Sequence, residues 1–323
     1  MTKYLVSGYI GFDNFGDEAI AKVVTSKLKD LQAEKITLLS SNPEKTAKLY
    51  EVNSEHYLRF FKPILETDVL ISGGGSLLQD ITSLKSLIYY LAVIVTALVF
   101  NKKVIIFAQG FTPFRTKIGE IFTKFVLNYC HKIYVRDLKS QELLKKMDIE
   151  SILVADPVYD LKSSGEVNHS GVGVQLRSFP TITDGFLEKL ANKIAEKFPN
   201  EEIKIYSLQD SLDYEISQKF QNLLESKNVK SKFYNKMSVE TAINELSNLE
   251  YLIGMRFHAD LVAAKAGVKV LGINYDVKVL NLSKHIGFPI LGLEQEEFNK
   301  EFEELISLDT SKYNIPTFEF PEI

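Results

Sequence analysis

One cysteine, Cys130, and no tryptophan occur among the 323 residues. A single thiol cannot close an internal disulfide, which sets the chain apart from small secreted scaffolds that rely on such staples. Long apolar runs are lacking too. The longest uncharged one, residues 87–100 (LIYYLAVIVTALVF), falls short of the roughly 20 residues a membrane-spanning helix needs, and reads as a buried core helix. Paired metal ligands are missing as well: His56, His131, His169 and His285 have no second ligand two or four residues on, so no metal site is expected. With a net charge of -4 and no interleaving of basic and aromatic residues, nucleic acid is not an expected partner. The opening MTKYLVSGYIGF turns into a loop after too few apolar residues for a signal peptide, which points to the cytoplasm.

What is present is alternation. Short β-branched runs (KYLVSG, KITLLS, DVLISG, KVIIFAQG, KIYVRD, SILVAD) alternate with helical patterns in the first half, as in a doubly wound parallel sheet. After the polar stretch LKSSGEVNHSG the alternation restarts with VGVQLRS, EIKIYSLQ, VKSKFY, EYLIGMR and KVLGINY. The chain therefore reads as α/β with two Rossmann-like domains, 1–165 and 166–323. Such folds bind ligands in a cleft at the carboxyl ends of their strands.

The chemistry-bearing residues fall at those strand ends. The first loop, SGYIGFDNFGDEAI, spaces Gly8, Gly11 and Gly16 unlike a dinucleotide fingerprint. Its carboxylates would repel a phosphate from the next helix, so Asp13, Asn14 and Asp17 serve either as acceptors for sugar hydroxyls or only as helix caps. The third strand runs into Gly73, Gly74 and Gly75, followed by Ser76 as an expected helix cap. Asp80, one helical turn beyond, is a candidate base. Arg136 ends the fifth strand next to Asp137, either as a site cation or as part of a surface ion pair.

In GMRFHADLVAAKAGV, Arg256 and His258 stand at the junction of a buried strand and a buried helix. A charge there costs several kcal/mol unless an opposite charge is bound, so the junction asks for an anion. Arg177 and Lys278 add to the cations of this half, with Asp276 the only carboxylate expected near the later ones. A small, multiply charged anion fits such a set.

Taken together, GFDNFGDEAI, ISGGGSLLQD, AQGFTP, VRDLKS, GMRFHADLVAAKAGV and INYDVKVLNLSKHIG resemble the polysaccharide pyruvyl transferase family, particularly its cell-wall (ketal-pyruvyl transferase) branch. The resemblance runs over residues 8–287 in family order. It implies a fold similar to the two-domain GT-B glycosyltransferases, phosphoenolpyruvate as co-substrate, no cofactor and no metal. It also implies a lipid-linked or polymeric sugar acceptor, typically N-acetylmannosamine. Carried over by motif, the donor-binding residues are Arg136, Arg256, His258 and Lys278; Phe257 and Asp260 depart from the family pattern. Ketal formation needs an acid and a base, and histidine suits the acid because its pKa is easily held near neutrality, which points to His258, with Asp80 as base. A nucleotide-sugar glycosyltransferase of the same fold and a non-catalytic sugar-binding protein are the competing readings.

One stretch suggests a location. Residues 81–147 hold eleven Lys or Arg against three acids, a surplus of eight in a chain of net charge -4. Within it, RTKIGEIFTKFVLNYC sets Lys117, Lys124 and Asn128 on one helical face and Ile118, Ile121, Phe122 and Phe125 elsewhere, either an ordinary surface helix or a basic amphipathic one suited to an anionic membrane.

Overall fold

The computed structural model describes residues 2–81, 83–294 and 298–323. The chain divides into two compact units: one runs through Asp160 and takes back Thr317–Ile323, the other is Leu161–Pro316. The division falls a few residues before the one read from the sequence, and the last seven residues lie with the first unit, not the second.

In unit 1 the strands are β1 (Lys3–Ile10), β2 (Lys35–Ser40), β3 (Asn53–His56), β4 (Val69–Gly73), β5 (Lys103–Gln109), β6 (Lys132–Val135) and β7 (Ile152–Leu153). They form one parallel sheet in the order β3-β2-β1-β4-β5-β6-β7. Helices α1 (Phe15–Asp30), α2 (Pro43–Tyr50), α3 (Phe61–Leu65), α4 (Leu84–Val99), α5 (Lys117–Leu127) and α6 (Leu138–Lys146) connect them. Unit 2 repeats the scheme with β8 (Val172–Gln175), β9 (Ile203–Tyr206), β10 (Ser231–Tyr234), β11 (Tyr251–Gly254), β12 (Lys269–Ile273) and β13 (Ile290–Leu291), in the order β10-β9-β8-β11-β12-β13. Its helices are α7 (Asp184–Lys197), α8 (Asp210–Ser226), α9 (Val239–Ser247), α10 (Phe257–Lys265), α11 (Val277–Ile286) and α12 (Asn299–Ile306).

Central strands such as β4 and β5 are apolar without alternation because helices cover both faces of a parallel sheet. The two strands not foreseen, β3 and β13, are edge strands; β3 is polar and half exposed, and β13 is two residues long. Helix starts follow the capping residues: Asn14, Thr116, Asp137 and Asp276 each accept a backbone N–H of the first turn of α1, α5, α6 and α11. In both sheets the order reverses once, between β1 and β4 and between β8 and β11. Chains leaving those pairs diverge, and the gap at their carboxyl ends is where open α/β sheets take ligands.

Each unit has its own core, Leu5, Leu70, Ile94 and Ile106 in the first and Val174, Leu190, Phe220 and Phe302 in the second. The returning tail completes the first: Phe318 and Phe320 set their rings 6.4 and 5.3 Å from that of Phe107. Phe318 is buried. Replacing it with alanine is expected to cost about 3 kcal/mol, measured by urea unfolding, whereas a non-packed tail would give no change.

Candidate active site

At the switch point of unit 1 the loop after β1 meets the loop after β4. Asn14 Oδ1 accepts from Gly16 N at 3.2 Å, and its amide donates to Asp17 Oδ2 at 2.6 Å. Glu18 is turned inward, accepting from Gly11 N (2.7 Å) and the Tyr50 hydroxyl (2.5 Å), and so pins the loop. Asp13 is paired with Lys45 on the surface. Of the three residues expected to face hydroxyls, Asn14 is thus a helix cap, Asp13 an exposed ion-pair partner, and Asp17 the one that reaches the glycine loop.

Two of the three glycines answer to α1. Gly74 and Gly75 have φ of +76° and +68°. A Cβ on Gly74 would lie 2.4 Å from Ile20, and one on Gly75 would lie 2.6 Å from Asp17 Oδ1. The loop therefore owes its glycines to close packing on α1, and this holds Asp17 against it.

Ser76 does not cap a helix. Residues 77–81 form no helix, and it is the Ser83 hydroxyl that caps α4. Ser76 Oγ is buried without a hydrogen-bond partner among the described residues. A Cβ at Gly110 would lie 2.9 Å from this oxygen and 3.0 Å from Arg136 Nε, so hydroxyl and guanidinium crowd the same few ångströms. Asp80 is corrected as well. It lies on no helix, and its carboxylate accepts from Arg115 N (2.6 Å), Thr116 N (2.8 Å) and Thr116 Oγ1 (2.6 Å). Burial pushes its carboxyl up, but these hydrogen bonds outweigh burial and leave it below the usual carboxylate range. An acid so bound ties the glycine loop to the start of α5; it is not placed to take a proton from a substrate.

Arg136 is not a surface residue. Its side chain is 5% exposed and its NH1 lies 2.9 Å from Asp156 Oδ2, in the loop after β7. The neighbour suspected from sequence, Asp137, instead caps α6 through Ser140.

At the switch point of unit 2, Arg256 follows β11 and meets Asp213 on α8. Its Nε and NH2 reach the two carboxylate oxygens at 2.7 and 2.6 Å, and NH2 also donates to Gln209 Oε1 at 3.0 Å. Gln175, at the end of β8, accepts from Arg256 N at 2.8 Å and donates to Asp213 at 3.2 Å. The anion that the buried arginine called for is therefore supplied by the protein. Asp213 and Gln209 were missed; the signal was DSLDYE after the ninth strand, a strand-end acidic cluster like those noted elsewhere.

Arg177, just beyond β8, is different. It makes no ion pair among the described residues, its Nε has no hydrogen-bond partner there, and its guanidinium lies 5.9 Å from the centre of the Tyr275 ring. His258 sits in the first turn of α10, half buried, its ring edge-on to Phe257. Lys278 lies in the first turn of α11, where its backbone N–H meets the capping Asp276. A neighbouring pocket of about 470 Å³ at the start of α8 is lined by Asp210, Glu215 and Lys236 and holds none of these cations.

Among the described residues no group of His, Cys, Asp and Glu could hold a metal ion. Burial pushes the Cys130 thiol up to about 12, which disfavours its thiolate.

Asp260, two residues after His258, is wholly buried, and neither of its oxygens has a hydrogen-bond partner among the described residues. Burial pushes its carboxyl well above the usual 3.8. A carboxyl whose pKa is raised by folding favours the fold at pH below about 4 and opposes it as pH rises toward the folded value.

Two stability outcomes follow. Asp213→Ala strands the buried guanidinium of Arg256 and should cost about 3–5 kcal/mol in chemical denaturation. Asp260→Ala should raise stability at pH 7 by about 1–3 kcal/mol relative to wild type, with the gain shrinking toward pH 4; a loss at both pH values would mean that Asp260 has a partner.

The family model described as polysaccharide pyruvyl transferase matches residues 14–277. No curated protein matches the chain in sequence. Among solved structures, the UDP-GlcNAc 2-epimerase of Methanocaldococcus jannaschii superposes with a TM-score of 0.70 at 11% identity, covering 99% of this chain and 96% of that one. The UDP-GlcNAc 2-epimerase of Neisseria meningitidis, bound to UDP-GlcNAc, gives 0.65 at 12% identity, covering 96% and 93%. Anabaena HepE in complex with UDP and glucose gives 0.64 at 9%, covering 97% and 91%. At such identities the likeness is one of fold: two Rossmann-like domains of the GT-B kind.

Proposed function

Because this chain belongs to the polysaccharide pyruvyl transferase family, a family of enzymes, we propose that it carries the pyruvyl group of phosphoenolpyruvate to a sugar of a cell-wall polymer precursor. In this reading the sugar is N-acetylmannosamine. The observation that carries the proposal is Arg177, a cation without an ion pair among the described residues, at the switch point that also bears His258.

Phosphoenolpyruvate offers a carboxylate and a phosphate, and a guanidinium fork binds such oxyanions through two parallel hydrogen bonds. Arg177 has donors to give. Arg256 keeps its Asp213 bond and contributes a fixed positive edge, and Lys278 adds a point charge. His258 gives a proton to the methylene carbon. The adjacent carbon, now electron-poor, is attacked by one sugar hydroxyl, whose proton passes to a carboxylate. The carbon–oxygen bond to phosphate then breaks, and phosphate leaves with the electron pair. A second hydroxyl adds at the same carbon, loses its proton and closes the ketal. Within its own unit Asp80 is committed to the chain's own hydrogen bonds, and Asp17 is the carboxylate set against the glycine loop.

The test is incubation of the protein with phosphoenolpyruvate and an N-acetylmannosamine-bearing acceptor, reading phosphate release and the acceptor's mass. Pyruvyl gain supports the reading. Consumption of a UDP-sugar in its place would overturn it in favour of the glycosyltransferase alternative that the neighbours' fold suggests. Arg177→Ala should weaken donor binding by about 1.5–3 kcal/mol, seen in KM. His258→Gln should lower kcat by about 100- to 10,000-fold while leaving donor binding intact; loss in KM alone would make His258 a ligand instead of the acid.

A further inference from the structure

The 87–100 run expected to be buried is only half so. Helix α4 carries one charged residue, Lys85, and is otherwise apolar almost all round. One side packs on the sheet through Leu87, Leu91 and Ile94. The opposite stripe, Leu84, Ile88, Val95 and Val99, is 40–70% exposed. An all-round apolar helix belongs in a core or in lipid, and this one has an open side. Beside it, α5 turns its more apolar side outward. Thr123, Val126 and Leu127 turn inward, while Ile118, Ile121, Phe122 and Phe125 are 59–65% exposed. The two helices meet where Gly119 backs on Leu87, with a Cβ position 3.1 Å from its methyl. The open stripes are thus adjacent. Unit 2, by contrast, exposes only Val167, Phe179, Val277 and Ile306 among its described large apolar residues.

We propose that this face of α4 and α5 docks on an anionic lipid bilayer. Charge selects that occupant: exposed Lys85, Arg115 and Lys117 stand within or at the head of the two stripes, in a stretch with eleven basic residues against three acids. Aromatic and aliphatic side chains ringed by basic ones suit an interface where the former enter the acyl boundary and the latter meet lipid phosphates. No helix among the described residues is long and apolar enough to cross the membrane, so the contact is peripheral. Lys124, the other cation expected to contribute, is bound to Asp148 at 2.9 Å and adds less. The face is rigidly joined to the switch point of its own unit, since Asp80, six residues beyond Gly74, holds the start of α5. The proposal does not depend on which donor the enzyme uses.

The full chain is to be sedimented with vesicles of phosphatidylglycerol and phosphatidylcholine, and with pure phosphatidylcholine. Wild type should bind the anionic vesicles at low salt and bind poorly to the neutral ones. Phe122→Ser with Phe125→Ser should reduce binding roughly tenfold or more. Lys85→Gln and Lys117→Gln should each reduce it about fivefold at low salt, the difference vanishing near 1 M, where the Debye length is about 3 Å. Should the serine pair fail to fold, Ile118→Gln with Ile121→Gln reads out the same face. Absence of binding at low salt would overturn the proposal. So would a wild-type dimer, seen by sedimentation velocity, that becomes monomeric in the serine pair and ignores vesicles, since the face would then belong to a second copy.

Discussion

Two buried arginines, each held by an aspartate, set what the carboxyl ends of both sheets can do. Arg136 after β6 is bound by Asp156, and Arg256 after β11 by Asp213. A guanidinium taken out of water is tolerated only when paired, and a partner from the chain satisfies that demand before any ligand arrives. The pairing holds each guanidinium in one place, with its charge balanced inside its own unit. The Asp213 network with Gln209 and Gln175 goes further, joining the ends of β8 and β11 across the point where the strand order reverses.

Unit 1 uses its acids differently. Glu18 clamps the first loop, Asp80 clamps the loop after the glycines, and Asp17 is the one set against the glycine turn. Three carboxylates of similar type in sequence have three different surroundings. The Asp80 clamp also binds the switch point to the head of α5, so the apolar face of α4 and α5 and the glycine loop form one mechanical piece.

Much of the fold was legible because parallel strands buried on both faces are written as continuous β-branched runs with glycine or a capping residue at their ends. The strands that escaped notice, β3 and β13, are at the edges, where one side of the strand has no neighbour and little apolar pattern is needed. Site residues were legible as positions and less so as roles. Arg256 and His258 could be placed at a strand–helix junction from pattern alone. That Arg256 is bound by Asp213, more than forty residues away, depends on the neighbouring strand order, which pattern does not encode. Arg177 could be read from its strand end as one of the cations of this half; that it is the one without an ion pair among the described residues only the structure decides.

The sequence by itself determined the α/β class, the two-part repetition and the family, because these rest on periodicity and on short local motifs whose order survives in one dimension. Only the tertiary structure decided which charges neutralise one another and which apolar faces stay open. A helix pattern fixes the angle between Ile118 and Val126 but not which of them meets the sheet. Here the smaller Gly119 and Thr123 allow close approach, so their side packs inward and the phenylalanines are left facing out.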